Sequence, residues 1–212
     1  MLDDDAFVRA IEAAPADDAP RLVYADWLDE HGDPRAAFLR AEVRLAILSR
    51  LPSDNGAMES LRSELRELRT QIDANSWPRL ARASNAARHV FRCSECRLPL
   101  TGPLWALADP FWIDQSDGNP LVPVGFTWLV DGDEWTSVKD HYCVNLADVL
   151  NTVPHRDDRR RHGCCGMDGC DGVNMMCSNR HEVGTECSDC WMPHFLHFEP
   201  TKVIKDDVEA GE

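Results

Sequence analysis

The sequence predicts an α+β chain, with an all-α helical module followed by a β-rich, cysteine-rich domain. Three observations carry that expectation. Apolar residues recur at three- and four-residue spacing as far as Ile72. From His89 that spacing gives way to short apolar runs broken by Gly, Pro and Asp. All nine cysteines stand at or after Cys93. The division is therefore expected near residues 86–92. This gives a helical module over 1–88, a cysteine-rich β domain over 89–200 and a loose acidic tail over 201–212.

The helices follow from local signals. Asp3 to Asp5 place negative charge at a helix N-terminus, Phe7, Val8 and Ile11 form its apolar stripe, and Pro15 ends it. Pro20 suits the first turn of a second helix, capped by Asp18 or Ala19. Leu22, Val23, Ala25, Trp27 and Leu28 are its expected buried side, and Gly32 its stop. Asp33-Pro34 repeats the start signal for a third helix carrying Phe38, Leu39, Val43, Leu45 and Ala46 to about Arg50. After the turn Pro52-Ser53-Asp54-Asn55-Gly56, Met58, Leu61, Leu65, Leu68 and Ile72 mark a fourth. Ser76-Trp77-Pro78 opens a short fifth, ending near Ala87. Tyr24 and Trp27 are expected to pack between helices, with Asp33 capping and Asp26 and Asp29 solvated.

In the second part, residues 89–93, 104–107, 121–130, 142–146 and 195–198 read as strands. Asp117-Gly118 and Asp131-Gly132 read as turns, and Asp148 to Val153 as a helical turn.

Charge excludes some functions. The chain of 212 residues carries a net charge of −15, of which −12 falls on residues 93–212. Such a field repels phosphate backbones, so nucleic acid is not the expected partner. No apolar run reaches the ~18 residues of a membrane span, and the acidic start Met1-Leu2-Asp3-Asp4-Asp5 is unlike a secretory signal. A cytoplasmic, reducing setting is expected, where cysteines are metal ligands or free thiols rather than disulfides.

The stretch from Pro20 to Ala36, PRLVYADWLDEHGDPRA, closely resembles the signature of the bacterial repeat-companion domain, a short helical module. The match covers residues 2–50 and runs on, with looser agreement around Trp77-Pro78-Arg79-Leu80, to about residue 85. The family takes its name from the repeat proteins it accompanies. It has no assigned catalytic residues, so the resemblance implies an accessory or interaction module. This chain has no internal repeat, which is a departure from the family's usual company.

The chemistry-bearing feature is the cysteine set. Cys93-x2-Cys96 follows a predicted strand, and Cys187-x2-Cys190 repeats the spacing. Two intervening residues let both sulfurs turn toward one ion, so Cys93, Cys96, Cys187 and Cys190 are the first candidates for a structural Zn²⁺ site, in a zinc-ribbon-like domain. Cys165, Cys177 and His181 are further candidates, and Cys93 and Cys96 can instead complete their tetrahedron with Cys165 and Cys177. Adjacent Cys164 and Cys165 are not expected to face one metal together. His181-Glu182 lacks the second histidine of a metalloprotease helix. Residues 155–162, rich in arginine, read as a solvated loop, and Trp191 to Phe195 as core beside the metal.

The expected function is a non-enzymatic, zinc-stabilised interaction or adaptor protein with a protein partner. The alternative is a zinc-dependent hydrolase or thiol-redox protein using the cysteines and histidine of residues 164–190.

Overall fold

Proline, glycine and aspartate punctuate the N-terminal helices as their backbone chemistry requires. The computed structural model describes residues 4–51, 55–73, 76–131 and 138–208. Asp3, the turn residues 52–54, Gly132 and the last four residues of the tail lie outside the described residues. The chain divides into two units, Met1–Arg82 and Ala83–Glu212.

The first unit holds α1 (Asp4–Ala13), α2 (Ala19–Glu30), α3 (Arg35–Ser49), α4 (Asn55–Arg69) and α5 (Ser76–Arg79). Helix α1 buries Phe7, Val8 and Ile11. Pro20 sits in the first turn of α2. Gly32 closes it in the left-handed region, at φ +66°, with its N–H donating to the Asp29 carbonyl. The Asp33 carboxylate accepts the Arg35 N–H at 2.9 Å, starting α3.

The buried face of α2 differs from the expected one. Leu22 and Val23 are 41% and 58% exposed, and Arg21 and Tyr24 are buried instead. Ala25 and Leu28 are buried as expected, Trp27 is half-buried, and with Arg21 and Tyr24 the buried residues follow helical spacing. Arg21 tolerates burial because it donates to the carbonyls of Leu80, Ala81 and Pro15 at 2.7, 2.9 and 3.0 Å. Beside it, buried Glu42 accepts from the buried Arg82 guanidinium, which also pairs with Asp18 at 2.6 Å.

The fifth helix is one turn long, and the chain enters a strand at Ala83, earlier than expected. Residues 84–87 are small or polar and exposed, so they carry no apolar signal. The second unit holds β1 (Ala83–Cys93), β2 (Leu104–Leu107), β3 (Phe126–Leu129), β4 (Tyr142–Val144), β5 (Thr152–Pro154), β6 (Met175–Cys177), β7 (Glu182–Cys187), β8 (Phe195–Phe198) and β9 (Val203–Val208). They form one mixed sheet in the order β5-β6-β7-β8-β4-β3-β2-β1-β9. Among the named strands β2 and β3 pair in parallel, and the other pairs are antiparallel.

Three expectations are corrected here. The run 121–130 is a strand only from Phe126, because Gly125 turns the chain at φ +83°. Residues 148–153 are not a helical turn: a 3-10 turn ends at Asp148 and β5 begins at Thr152. Residues Val203–Val208 of the expected tail form strand β9. It pairs along β1 from Arg88↔Val208 to Cys93↔Val203, with Arg92–Asp206 and His89–Asp207 contacts at 2.9 and 2.8 Å. Three consecutive charged residues, Lys205, Asp206 and Asp207, put charge on both faces of this edge strand, which is why it reads as tail.

The core of this unit contains Phe91, Leu100, Val144, Val183, Leu196 and Phe198, and Cys93 and Cys177 belong to it. No helix among the described residues is long and apolar enough to cross a membrane.

Candidate metal centre

Two tight turns, distant in sequence, meet at the edge of that core. The first follows β1. The Arg97 N–H donates to the Cys93 carbonyl and the Cys93 N–H to the Leu98 carbonyl, both at 2.9 Å. The second joins β6 to β7. There the Arg180 N–H donates to the Cys177 carbonyl at 2.7 Å, and the Cys177 N–H to the His181 carbonyl at 2.8 Å. Each turn opens with Cys-Ser and passes an arginine through the left-handed region, Arg97 at φ 62° and Arg180 at φ 74°.

Asn151 ties the turns together. Its carbonyl accepts from both the N–H and the hydroxyl of Ser178, at 2.8 and 2.9 Å, and its side-chain amide donates to the Pro99 carbonyl at 2.9 Å. The end of β1 is held from its other side, where the Ser94 N–H donates to the Lys202 carbonyl at 3.1 Å.

The result is a group of four side chains, Cys93, Cys96, Cys177 and His181, whose ligand atoms all lie within 4.8 Å of one another and could hold a metal ion. Cys96 Sγ stands 3.8 Å from Cys177 Sγ, and His181 Nδ1 stands 3.7 Å from Cys93 Sγ and 3.4 Å from Cys177 Sγ. Cys93 and Cys177 are buried, while Cys96 is partly exposed. Hydrogen bonds from the Asn179 side chain and the Leu98 backbone bring the Cys96 thiol down to about 6. Burial pushes Cys93 up to about 11. The group thus favours thiolate first at its open edge.

The structure does not bring Cys187 and Cys190 to this group. His181 precedes β7 and Cys187 ends it, so about 20 Å of extended strand separates them. Cys187 is buried facing Gly169, where an added Cβ would come within 2.7 Å of its sulfur. Burial first, then nearby negative groups, raise its thiol to about 12. Cys165 is also elsewhere. It forms a second, exposed group with Cys164 and Cys190, again within 4.8 Å of one another.

Adjacent Cys164 and Cys165 therefore do face one point, against expectation. The cause is Asp189, only 1% exposed, whose carboxylate accepts the N–H groups of Cys164, Cys165 and Cys190 and the Trp191 indole N–H, each at 2.8 Å. Asp189 and Asn151 are the positioning residues that sequence reasoning missed. Asp189 carried a signal, an acid between two cysteines. Asn151 carried none beyond being an asparagine, the residue type that tolerates a positive φ, here 52°.

The Trp191 side chain is 55% exposed rather than core, whereas Phe195 is buried. The arginine-rich stretch is neutralised locally: Arg159 pairs with Asp157, Arg160 with Glu182 and Arg161 with Asp158. Compared with family models, with curated proteins and with solved structures, the chain matches none.

Proposed function

We propose that the chain is a zinc-stabilised, non-enzymatic interaction protein, with Cys93, Cys96, Cys177 and His181 holding a structural Zn²⁺. The observation that carries this is spacing. Thiolates at ~2.3 Å and an imidazole nitrogen at ~2.0 Å around a tetrahedral ion stand about 3.8 Å apart sulfur to sulfur, and about 3.6 Å sulfur to nitrogen. The separations are 3.8 Å for the sulfur pair and 3.7 and 3.4 Å for the nitrogen pairs. Four protein ligands make a closed site, the arrangement of structural rather than catalytic zinc.

The adaptor role is supported by the resemblance of residues 2–50 to the repeat-companion domain, which implies an accessory module with a protein partner. All nine cysteines are free, in keeping with a cytoplasmic setting. The hydrolase alternative loses its nearest base, because Arg160 and Lys202 engage the Glu182 carboxylate at 2.8 and 3.3 Å.

Native mass spectrometry of the purified chain tests the metal. Wild type should carry zinc in this site, and Cys177→Ser and His181→Ala should each lose one equivalent along with thermal stability of the β unit. A structural zinc contributes an apparent ~10–16 kcal/mol to folding, as large as a domain's whole stability. Full zinc retention in both variants overturns the ligand set. Affinity capture from host extract tests the adaptor role, and zinc-loaded protein that retains no protein partner counts against it.

A further inference from the structure

Outside the four-ligand group, the exposed thiols of Cys164, Cys165 and Cys190 stand together on a surface that is built to hold them there. One buried carboxylate, Asp189, accepts the backbone N–H of all three residues at 2.8 Å. It therefore fixes the loop before Met167 and the loop after β7 to a single point. The same loops are locked a second time: Ser188 N–H donates to the Met167 carbonyl at 2.8 Å, and Ser188 Oγ accepts the Met167 N–H at 3.1 Å.

Two glycines make the approach feasible. A Cβ on Gly163 would lie 1.9 Å from the Gly166 carbonyl oxygen, and one on Gly166 would lie 2.2 Å from that of Ser188. No side chain fits at either place. Adjacent cysteines ordinarily diverge, yet Cys164 Sγ and Cys165 Sγ are 3.9 Å apart. Two thiolates sharing one ion at ~2.3 Å stand about 3.8–4.0 Å apart, in tetrahedral or trigonal arrangement.

We infer that Cys164, Cys165 and Cys190 form a second metal site, a three-thiolate site for a soft cation of the Zn²⁺ class with its remaining coordination position open to solvent. No fourth Cys, His, Asp or Glu joins these three among the described residues, and all three are exposed. Three protein ligands plus an exchangeable fourth distinguish an open site from a closed one. Soft thiolates select Zn²⁺ and similar thiophilic ions over Mg²⁺ or Ca²⁺. Binding releases the thiol protons to solvent, with water completing the coordination. The acidic balance of residues 93–212 favours a cation there. This site therefore exchanges its ion, whereas the closed site retains it.

The test is titration of the reduced, metal-free full-length chain with Co²⁺, a spectroscopic stand-in for Zn²⁺, followed by thiolate-to-cobalt charge-transfer absorption. Two equivalents are expected. Free imidazole should perturb the spectrum of the weaker one only, and a mild chelator should release it at least tenfold faster than the other. Cys165→Ser and Cys190→Ser should each abolish the weaker equivalent and leave the tighter one unchanged, which also reports that the variant is folded. Cys177→Ser tests the closed site separately. Metal binding that survives both serine variants undiminished, or a Cys165- and Cys190-dependent equivalent insensitive to imidazole, would overturn the inference.

Discussion

His141 and His197 stand Nδ1 to Nδ1 at 2.9 Å, so one ring donates to the other. His197 is buried at 7% exposure on β8, opposite Cys143 of β4. Burial first, and then the charge of His141, lower its pKa from 6.5 to about 4. The unfolded chain therefore takes up a proton near pH 6.5 that the folded chain refuses until about pH 4. Stability present above 6.5 is lost as pH falls through that window, by about 3 kcal/mol in total. Urea unfolding at pH 7, 6 and 5 should show the decline, and His197→Gln should flatten it relative to wild type. Equal slopes in the two proteins would remove His197 as the cause.

Glu42 lies between two buried guanidiniums, Arg21 at 3.6 Å and Arg82 in a bidentate contact. Glu42→Ala leaves that positive charge without its buried counter-ion and should cost about 3–5 kcal/mol. Asp26→Ala, which removes one of the two exposed partners of Arg40, should cost less than ~1 kcal/mol. Denaturant midpoints of the two variants are the comparison, and similar losses would mean the buried network is not specially stabilising.

Asn151 combines a left-handed backbone with an amide that reaches Pro99. Asn151→Ala should lose about 2 kcal/mol, roughly half from the hydrogen bond and half from replacing asparagine, which tolerates the left-handed region, with alanine, which does not. Asn151→Gly should lose about 1 kcal/mol. Thermal midpoints, with the rate of metal loss to a chelator, would order the variants as wild type, Gly, Ala. The reverse order of the last two would show that the backbone there is unstrained.

Strand β9 holds the Cys93 turn through the Lys202 carbonyl and the ladder along β1. A chain ending at Pro200 should release metal from the four-ligand group at least tenfold faster than full length. Unchanged retention would assign the turn's order to Asn151 and the core alone.

Helix punctuation was legible because it is local: Pro20, Gly32 and Asp33 act within one turn of where they stand. The strands at Leu104–Leu107 and Phe195–Phe198 were legible as apolar runs. Strands β5, β6, β7 and β9 were not: β5 and β6 are three residues long, Gly184 interrupts β7, and Lys205, Asp206 and Asp207 interrupt β9, so the ladder supplies the order. Ligand partnering was the least legible part. Cys93-x2-Cys96 and Cys187-x2-Cys190 have identical spacing, yet strand β7 carries the second pair away from the first. Sheet register decided which sulfurs meet, and register is a property of the whole fold.

Residues 93 and 96 precede their counterparts by a long interval of the chain, Cys177 standing 81 positions after Cys96. At roughly 5–20 residues per second of ribosomal synthesis, the earlier pair emerges ~4–16 s before the later one. During that interval the nascent polypeptide displays two thiols with no companions, open to oxidants and to the wrong ion. Assembly of the four-residue group thus waits until Cys177 and His181 have been made, and that wait is its most vulnerable moment.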